Sequence, residues 1–184
     1  VYIHPSAEID SSATIKPFAS ISENVVIQDG VTIGEGVSIG KNSLISSDSK
    51  IYPNVSIYSF VEIGRECIIH SGAVIGSDGL GFARNNNSWE KVEHLGGVII
   101  GDRVEIGSNT SIDKGSVGST NISDDVKIDN LVHIAHNVFV GSATVIAANS
   151  AIAGSAKVGK NCTIAGCCGI VDNIEIADSV HITA

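Results

Sequence analysis

The sequence contains no methionine, three prolines and few aromatic side chains: four Phe, three Tyr and one Trp, 4% of 184 residues. A core made without aromatics has to be made from Ile, Val and Ala, and hydrophobic residues do reach 43%. Three prolines beside 20 glycines exclude collagen-like and Pro-rich disordered chains. Positive charge is also scarce: 11 Lys and Arg face 20 Asp and Glu, for a net charge of -9. That balance excludes the basic footprint of a nucleic-acid binder and a polybasic membrane anchor. No apolar run approaches the roughly 20 residues of a membrane span, and no signal-peptide pattern opens the chain. The four cysteines, at 67, 162, 167 and 168, have neither CxxC nor zinc spacing, so they read as free thiols in a reducing, cytoplasmic compartment. A start at Val1 in a chain without Met reads as a processed chain or a fragment.

What is abundant is a repeat. Stepping by six from Ile3 meets Ile thirteen times without a miss, ending at Ile75. The phase resumes at Ile100, Ile106 and Ile112, then again at Ile122, and runs to Ile182 with Val140 and Val158 as the only substitutions. Two residues before each step sits a second regular position, mostly Ala, Val, Ser, Thr or Cys, with Ile174 the one residue larger than Val. A strict six would drift around a 3.6-residue helix, whereas residues i-2 and i share one side of a strand. The pattern therefore predicts an all-β fold, a left-handed parallel β-helix of hexapeptide repeats with about nine triangular coils. It covers 1–184 as a single domain, broken by insertions at 76–98 and 113–121. Cys67, Cys162 and Cys168 fall in the small inward slot and are expected to be packing atoms.

With three hexads to a coil, residues 18 apart stack. Ile75, Ile112, Ile134, Ile152 and Ile170 then occupy one column, and both insertions leave from the same corner on adjacent coils. Above them on that corner come Ala135-His136-Asn137, Ala153-Gly154-Ser155 and Val171-Asp172-Asn173. Insertions into a rigid scaffold are where function concentrates. His136 is expected there as the one basic side chain, a neutral imidazole suited to general-base work. Gly154, one coil on, offers a backbone N–H of the kind that stabilises an oxyanion. His94 lies in the large insertion and reads as structural; His4, His70 and His181 read as surface residues. The spacing of His133 and His136, without a matching third His, argues against a zinc site. Outward residues between Ile146 and Val171 turn small and apolar, among them Ala147, Ala153, Ala165, Gly166 and Cys167, which predicts a homotrimer, the strip serving either as contact alone or also as a seam for an acyl chain.

At these residues the sequence resembles a family. His133-Ile134-Ala135-His136-Asn137 is similar to the catalytic segment of the bacterial lipid A acyltransferases. The insertion beginning GSDGLGFA (76–83), Trp89 and LGGVIIGDRVEIGSNTSIDKG (95–115) resemble one branch, the UDP-3-O-(3-hydroxyacyl)glucosamine N-acyltransferases. The resemblance implies transfer of a 3-hydroxyacyl group from acyl carrier protein to the 2-amino group of a UDP-3-O-acyl-glucosamine in the cytoplasm of a Gram-negative bacterium. It implies His136 as general base and Gly154 as oxyanion donor. His133, Asn137, Asp129, Asn130 and Asn173 are expected around the substrate; relatives often carry His where this chain has Asn173. No cofactor and no metal are implied, the acyl group being carried on the phosphopantetheine of the carrier protein. It also implies that an N-terminal uridine-binding domain and C-terminal helices lie outside this stretch. Two rivals stand beside this reading. One is another hexapeptide acyltransferase, O-acylating or acetyl-CoA-dependent; the other is a non-catalytic hexapeptide scaffold subunit.

Overall fold

The computed structural model describes residues 1–184, and the hexad phase is written directly into it. Three parallel sheets of nine strands each wrap a single core, and successive strands step from face A to face B to face C. Face A begins with Tyr2–Ile3, face B with Glu8–Ile9 and face C with Thr14–Ile15. This is the left-handed parallel β-helix that the repeat predicts, in nine coils. Most strands are two residues long, one facing out and the inward Ile. Their register is set by 18-residue steps: Ile3 pairs with Ile21, Ile57 with Ile75, and Ile134 with Ile152.

Thirty-seven buried residues, all Ile, Val, Ala or Cys, form one continuous core. Where the i-2 slot is a hydroxyl residue, it is wired between coils rather than left unpaired. Thr110, fully buried, donates to the Asp129 carbonyl at 2.7 Å and accepts from the Val132 N–H at 3.1 Å. Thr144 and Ser150 make the same pair of bonds one and two coils on. These links satisfy polar groups that the close-packed interior would otherwise orphan. Cys67, Cys162 and Cys168 are buried in the inward slot as expected, and Cys167 is exposed at a corner.

Between strands the chain turns in four residues, and the third residue after the inward Ile is left-handed at nearly every corner. Asn tolerates that conformation better than other residues with a side chain, which accounts for Asn24, Asn42, Asn54, Asn109, Asn137 and Asn173.

Both insertions leave the corner joining face A to face B. The stacking order runs through the strands holding Ile57, Ile75, Ile112, Ile134, Ile152 and Ile170. Regular pairing extends farther into the insertions than the hexads alone indicate. Val74–Ser77 and Ser111–Asp113 continue face A, while Gly97–Ile100 and Ser119–Ile122 already belong to face B. The true excursions are thus 78–96 and 114–118. The longer one carries an exposed antiparallel hairpin, Phe82–Asn85 against Ser88–Lys91.

Candidate functional site

The two excursions are zipped together. Leu95 N–H donates to the Ser116 carbonyl at 2.9 Å and Gly96 N–H to the Gly115 carbonyl at 3.0 Å. Asp78 joins them electrostatically: its carboxylate bonds Lys114 Nζ at 2.9 Å and also Lys91 Nζ. These two ammonium groups, Lys114 foremost, hold the Asp78 carboxyl down at about 2.

Asn137 ties the second excursion to the corner above it. Its Oδ1 accepts from Ser116 N–H at 3.0 Å and its Nδ2 donates to the Val117 carbonyl at 2.8 Å. Backbone N–H only donates and carbonyl only accepts, so the amide has one possible orientation. The same Oδ1 lies 3.1 Å from His136 Nδ1. In the neutral imidazole Nδ1 therefore carries the hydrogen, and Nε2 keeps the free lone pair.

Nε2 sits under Gly154. A Cβ built on Gly154 would lie 2.8 Å from Nε2 and 2.9 Å from Cε1, so only glycine admits the ring. The column is fixed by Ser155 N–H to the His136 carbonyl, 3.0 Å, and Asn173 N–H to the Gly154 carbonyl, 3.1 Å. Gly154 N–H itself donates to nothing in the chain. At some equivalent corner positions the residue one coil above takes up this hydrogen. Asp124 does so for Asp102 N–H at 2.9 Å, Asn130 for Ser108 at 2.7 Å and Asp178 for Lys160 at 2.7 Å. Above Gly154 stands Asp172, whose Oδ2 accepts instead from Asn173 Nδ2 at 2.9 Å. A base with a free lone pair and a glycine whose N–H is unclaimed thus lie on adjacent coils of one corner.

Sequence reasoning placed His136 alone on this corner, and the structure corrects that. His94 returns from the long excursion to meet it edge-on, ring centroids 5.4 Å apart and planes at 70°. It is 4% exposed, and neither ring nitrogen has a hydrogen-bond partner. Asp113, 5% exposed, is the second residue the spacing missed. Its Oδ1 accepts from the Ser77 hydroxyl at 2.8 Å, and its Oδ2 lies 3.6 Å from His133 Nε2. Burial pushes the Asp113 carboxyl above its usual range, opposed by Ser77 and by the imidazoles of His133, His94 and His136. The aperiodic excursion hid His94. Asp113 could have been found, because it directly follows an inward Ile where the phase breaks.

Of the other expected residues, His133 projects outward beside Asp113, and Asn137 spends its amide within the chain. Asn173 stands on the same corner two coils above Asn137, exposed. Asp129 and Asn130 are not brought to His136. They follow Ile128 of face C and lie on the corner between faces C and A, lining a groove of about 460 Å³ with His70, Glu105 and Lys127. Ala165 also follows a face C strand, on that corner, and packs partly buried against the core. No group of three or more His, Cys, Asp or Glu converges as a metal-binding set.

Comparison with known proteins bears on the fold and the kind of enzyme this chain is similar to. Residues 42–77 match the bacterial transferase hexapeptide (six repeats) family. UDP-3-O-acylglucosamine N-acyltransferase of Shewanella denitrificans is 52% identical over 123 residues, 67% of this chain and 36% of that protein. The same enzyme of Leptothrix cholodnii is 62% identical over 115 residues, 62% of this chain and 34% of that one. The chain is similar to the UDP-3-O-acylglucosamine N-acyltransferases. It spans about a third of the length of these curated relatives. Among solved structures, LpxA from Acinetobacter baumannii aligns with a TM-score of 0.63 at 25% identity, covering 100% of this chain and 67% of that one. UDP-N-acetylglucosamine O-acyltransferase from Moraxella catarrhalis gives 0.59 at 29%, covering 95% and 62%. No helix is long and apolar enough to cross a membrane.

Proposed function

We propose that this chain is the β-helix of an N-acyltransferase that moves a 3-hydroxyacyl group from acyl carrier protein to the 2-amino group of UDP-3-O-acylglucosamine, a step of lipid A biosynthesis in the cytoplasm of a Gram-negative bacterium. One observation carries the chemistry: His136 Nε2, its lone pair free because Nδ1–H is engaged by Asn137, packs against Gly154, whose N–H no group of the chain claims. The amine nitrogen attacks the thioester carbonyl while His136 Nε2 takes the proton it sheds. The tetrahedral oxyanion accepts from Gly154 N–H. As the carbonyl re-forms, the C–S bond breaks and the imidazolium returns its proton to the leaving thiolate. The donor thioester sits on the phosphopantetheine of the carrier protein, and no step calls for a metal or a resident cofactor.

The outward strip of small residues and exposed Val145 and Val171 support a homotrimer. Within one chain the groove bearing Asp129 and Asn130 lies on a different edge of the prism from His136.

A second reading has specific support, since the structural neighbours include a UDP-N-acetylglucosamine O-acyltransferase. In that case a sugar hydroxyl replaces the amine as nucleophile at the same His136. The deciding experiment offers purified protein 3-hydroxyacyl-carrier protein or acetyl-CoA, with either UDP-3-O-acylglucosamine or UDP-N-acetylglucosamine as acceptor. Amide product from the amine-bearing acceptor is expected. Ester product alone, or acetyl-CoA as preferred donor, refutes the N-acyltransferase reading, and His136→Ala that keeps full turnover refutes the base.

A further inference from the structure

A histidine base is usually backed by a carboxylate that holds its ring and offsets the charge it acquires. On this corner the two tasks are separated. Asn137 holds Nδ1–H, but its amide is neutral. The charge lies elsewhere: Asp113 is 5% exposed, and only its Oδ1 has a hydrogen-bond donor, the Ser77 hydroxyl. An ionisable group buried this deeply with half its acceptors unsatisfied is costly.

Gly79 shows what Asp113 faces. A Cβ built there would lie 3.2 Å from His136 Cδ2, 3.2 Å from His94 Nε2 and 3.3 Å from Asp113 Oδ2. The three groups surround one notch, which puts the carboxylate within about 6.5 Å of both rings. His94 is buried with both nitrogens unpartnered, an expense that a Leu or Phe in its place would avoid.

We propose that Asp113 is the counter-charge that stabilises His136 while it holds the proton taken from the nucleophile, with His94 keeping carboxylate and base at their spacing across the Gly79 notch. This rests on the transferase reading for its role in turnover, not for the coupling itself. Asp113 touches no reacting atom and is a positioning residue. The other charged or titratable groups around His136 are His133 on its own strand, Asp78 with Lys91 and Lys114 on the excursions, and Asp172 two coils above. Asp78 is already matched by its two lysines, and Asp172 is exposed. Asp113 is left as the buried charge that faces His136, its Oδ2 also 3.6 Å from His133 Nε2.

The test uses Asp113→Asn, which keeps shape and removes charge, in the whole chain, with folding checked by its melting curve. Turnover is expected to fall roughly ten- to a hundredfold, the scale of one charge at this distance in a partly screened site, with KM within about twofold. The acid limb of the pH profile moves to lower pH, because the imidazolium loses its counter-charge. The His136 Cε1–H resonance, identified by its loss in His136→Gln, shifts its titration midpoint the same way. Should Asp113→Asn not fold, Ser77→Ala removes the one hydrogen bond to the carboxylate and moves the resonance in the same direction by less. A folded variant with an unmoved resonance overturns the proposal, as does a raised KM at unchanged turnover. Wild-type protein inactive with every acyl donor sinks the transferase reading alone, since the resonance still decides the coupling.

Discussion

Gly154→Ala separates catalysis from stability at a single methyl group. The added carbon would come within 2.8 Å of His136 Nε2, closer than real Cβ contacts allow, so the ring has to rotate away. Rotation breaks the 3.1 Å bond from Nδ1 to Asn137 and moves the Nε2 lone pair from its place under Gly154. Losing that hydrogen bond costs about 0.5–1.5 kcal/mol. Against this, replacing Gly by Ala at an ordinary φ stabilises by about 0.4–1 kcal/mol through the unfolded chain, and Gly154 is not left-handed. The net change is within about 1 kcal/mol, or about 2–4 °C in Tm for a domain of this size. Displacing a general base removes most of a contribution of roughly 10²–10⁴ in rate. Steady-state transfer and a thermal melt on the same preparation are the assays: kcat at least a hundredfold down, Tm nearly unchanged. Gly169→Ala is the control, because a Cβ there meets nothing within 4 Å, and it should keep full activity. A Gly154→Ala protein with near-normal kcat, or one whose activity falls only in step with its fold, refutes the geometry argued for His136.

Other consequences are open to direct measurement. Maleimide should spare Cys67, Cys162 and Cys168 in native protein, since these thiols are buried and burial pushes Cys67 up to about 11; labelling of Cys67 without denaturant would contradict the packing. The Asp78 clamp has a depressed carboxyl pKa, so what it adds is present above the ordinary value near 3.8 and is lost as pH falls towards about 2. Asp78→Asn at neutral pH should then speed hydrogen exchange across the 82–91 hairpin with little change in Tm, and unaltered exchange would show that the lysines hold nothing. Thr110→Val keeps shape but orphans the Val132 N–H, and should cost about 1–3 kcal/mol in denaturant unfolding; a neutral result would mean that the inward hydroxyls do not stitch the coils. Sedimentation at micromolar concentration should give a trimer, and a monomer would leave the apolar strip unexplained.

The coil architecture was legible in the sequence because a β-helix has almost no freedom beyond its period. Each inward Ile must land on the Ile 18 residues away, so counting alone put Ile75, Ile112, Ile134, Ile152 and Ile170 in one column and both insertions, His136 and Gly154 on one corner. The same count separates Asp129 and Asn130 from His136, since they follow a face C strand; nearness in sequence suggested otherwise, but in this fold six residues is one side of a prism. Where the period stops, the sequence stops determining position. Residues 78–96 and 114–118 have no inward slot to fill, and their path is set by contacts with each other: the Asp78 lysines, the Leu95 and Gly96 backbone bonds, and the Asn137 amide. Only the folded chain could bring His94 against His136, turn Asp113 inward to face both, and leave the Gly154 N–H unclaimed while Asp172 bonds elsewhere. These are long-range, aperiodic side-chain contacts, whereas the coils repeat one local pattern that any hexad reveals.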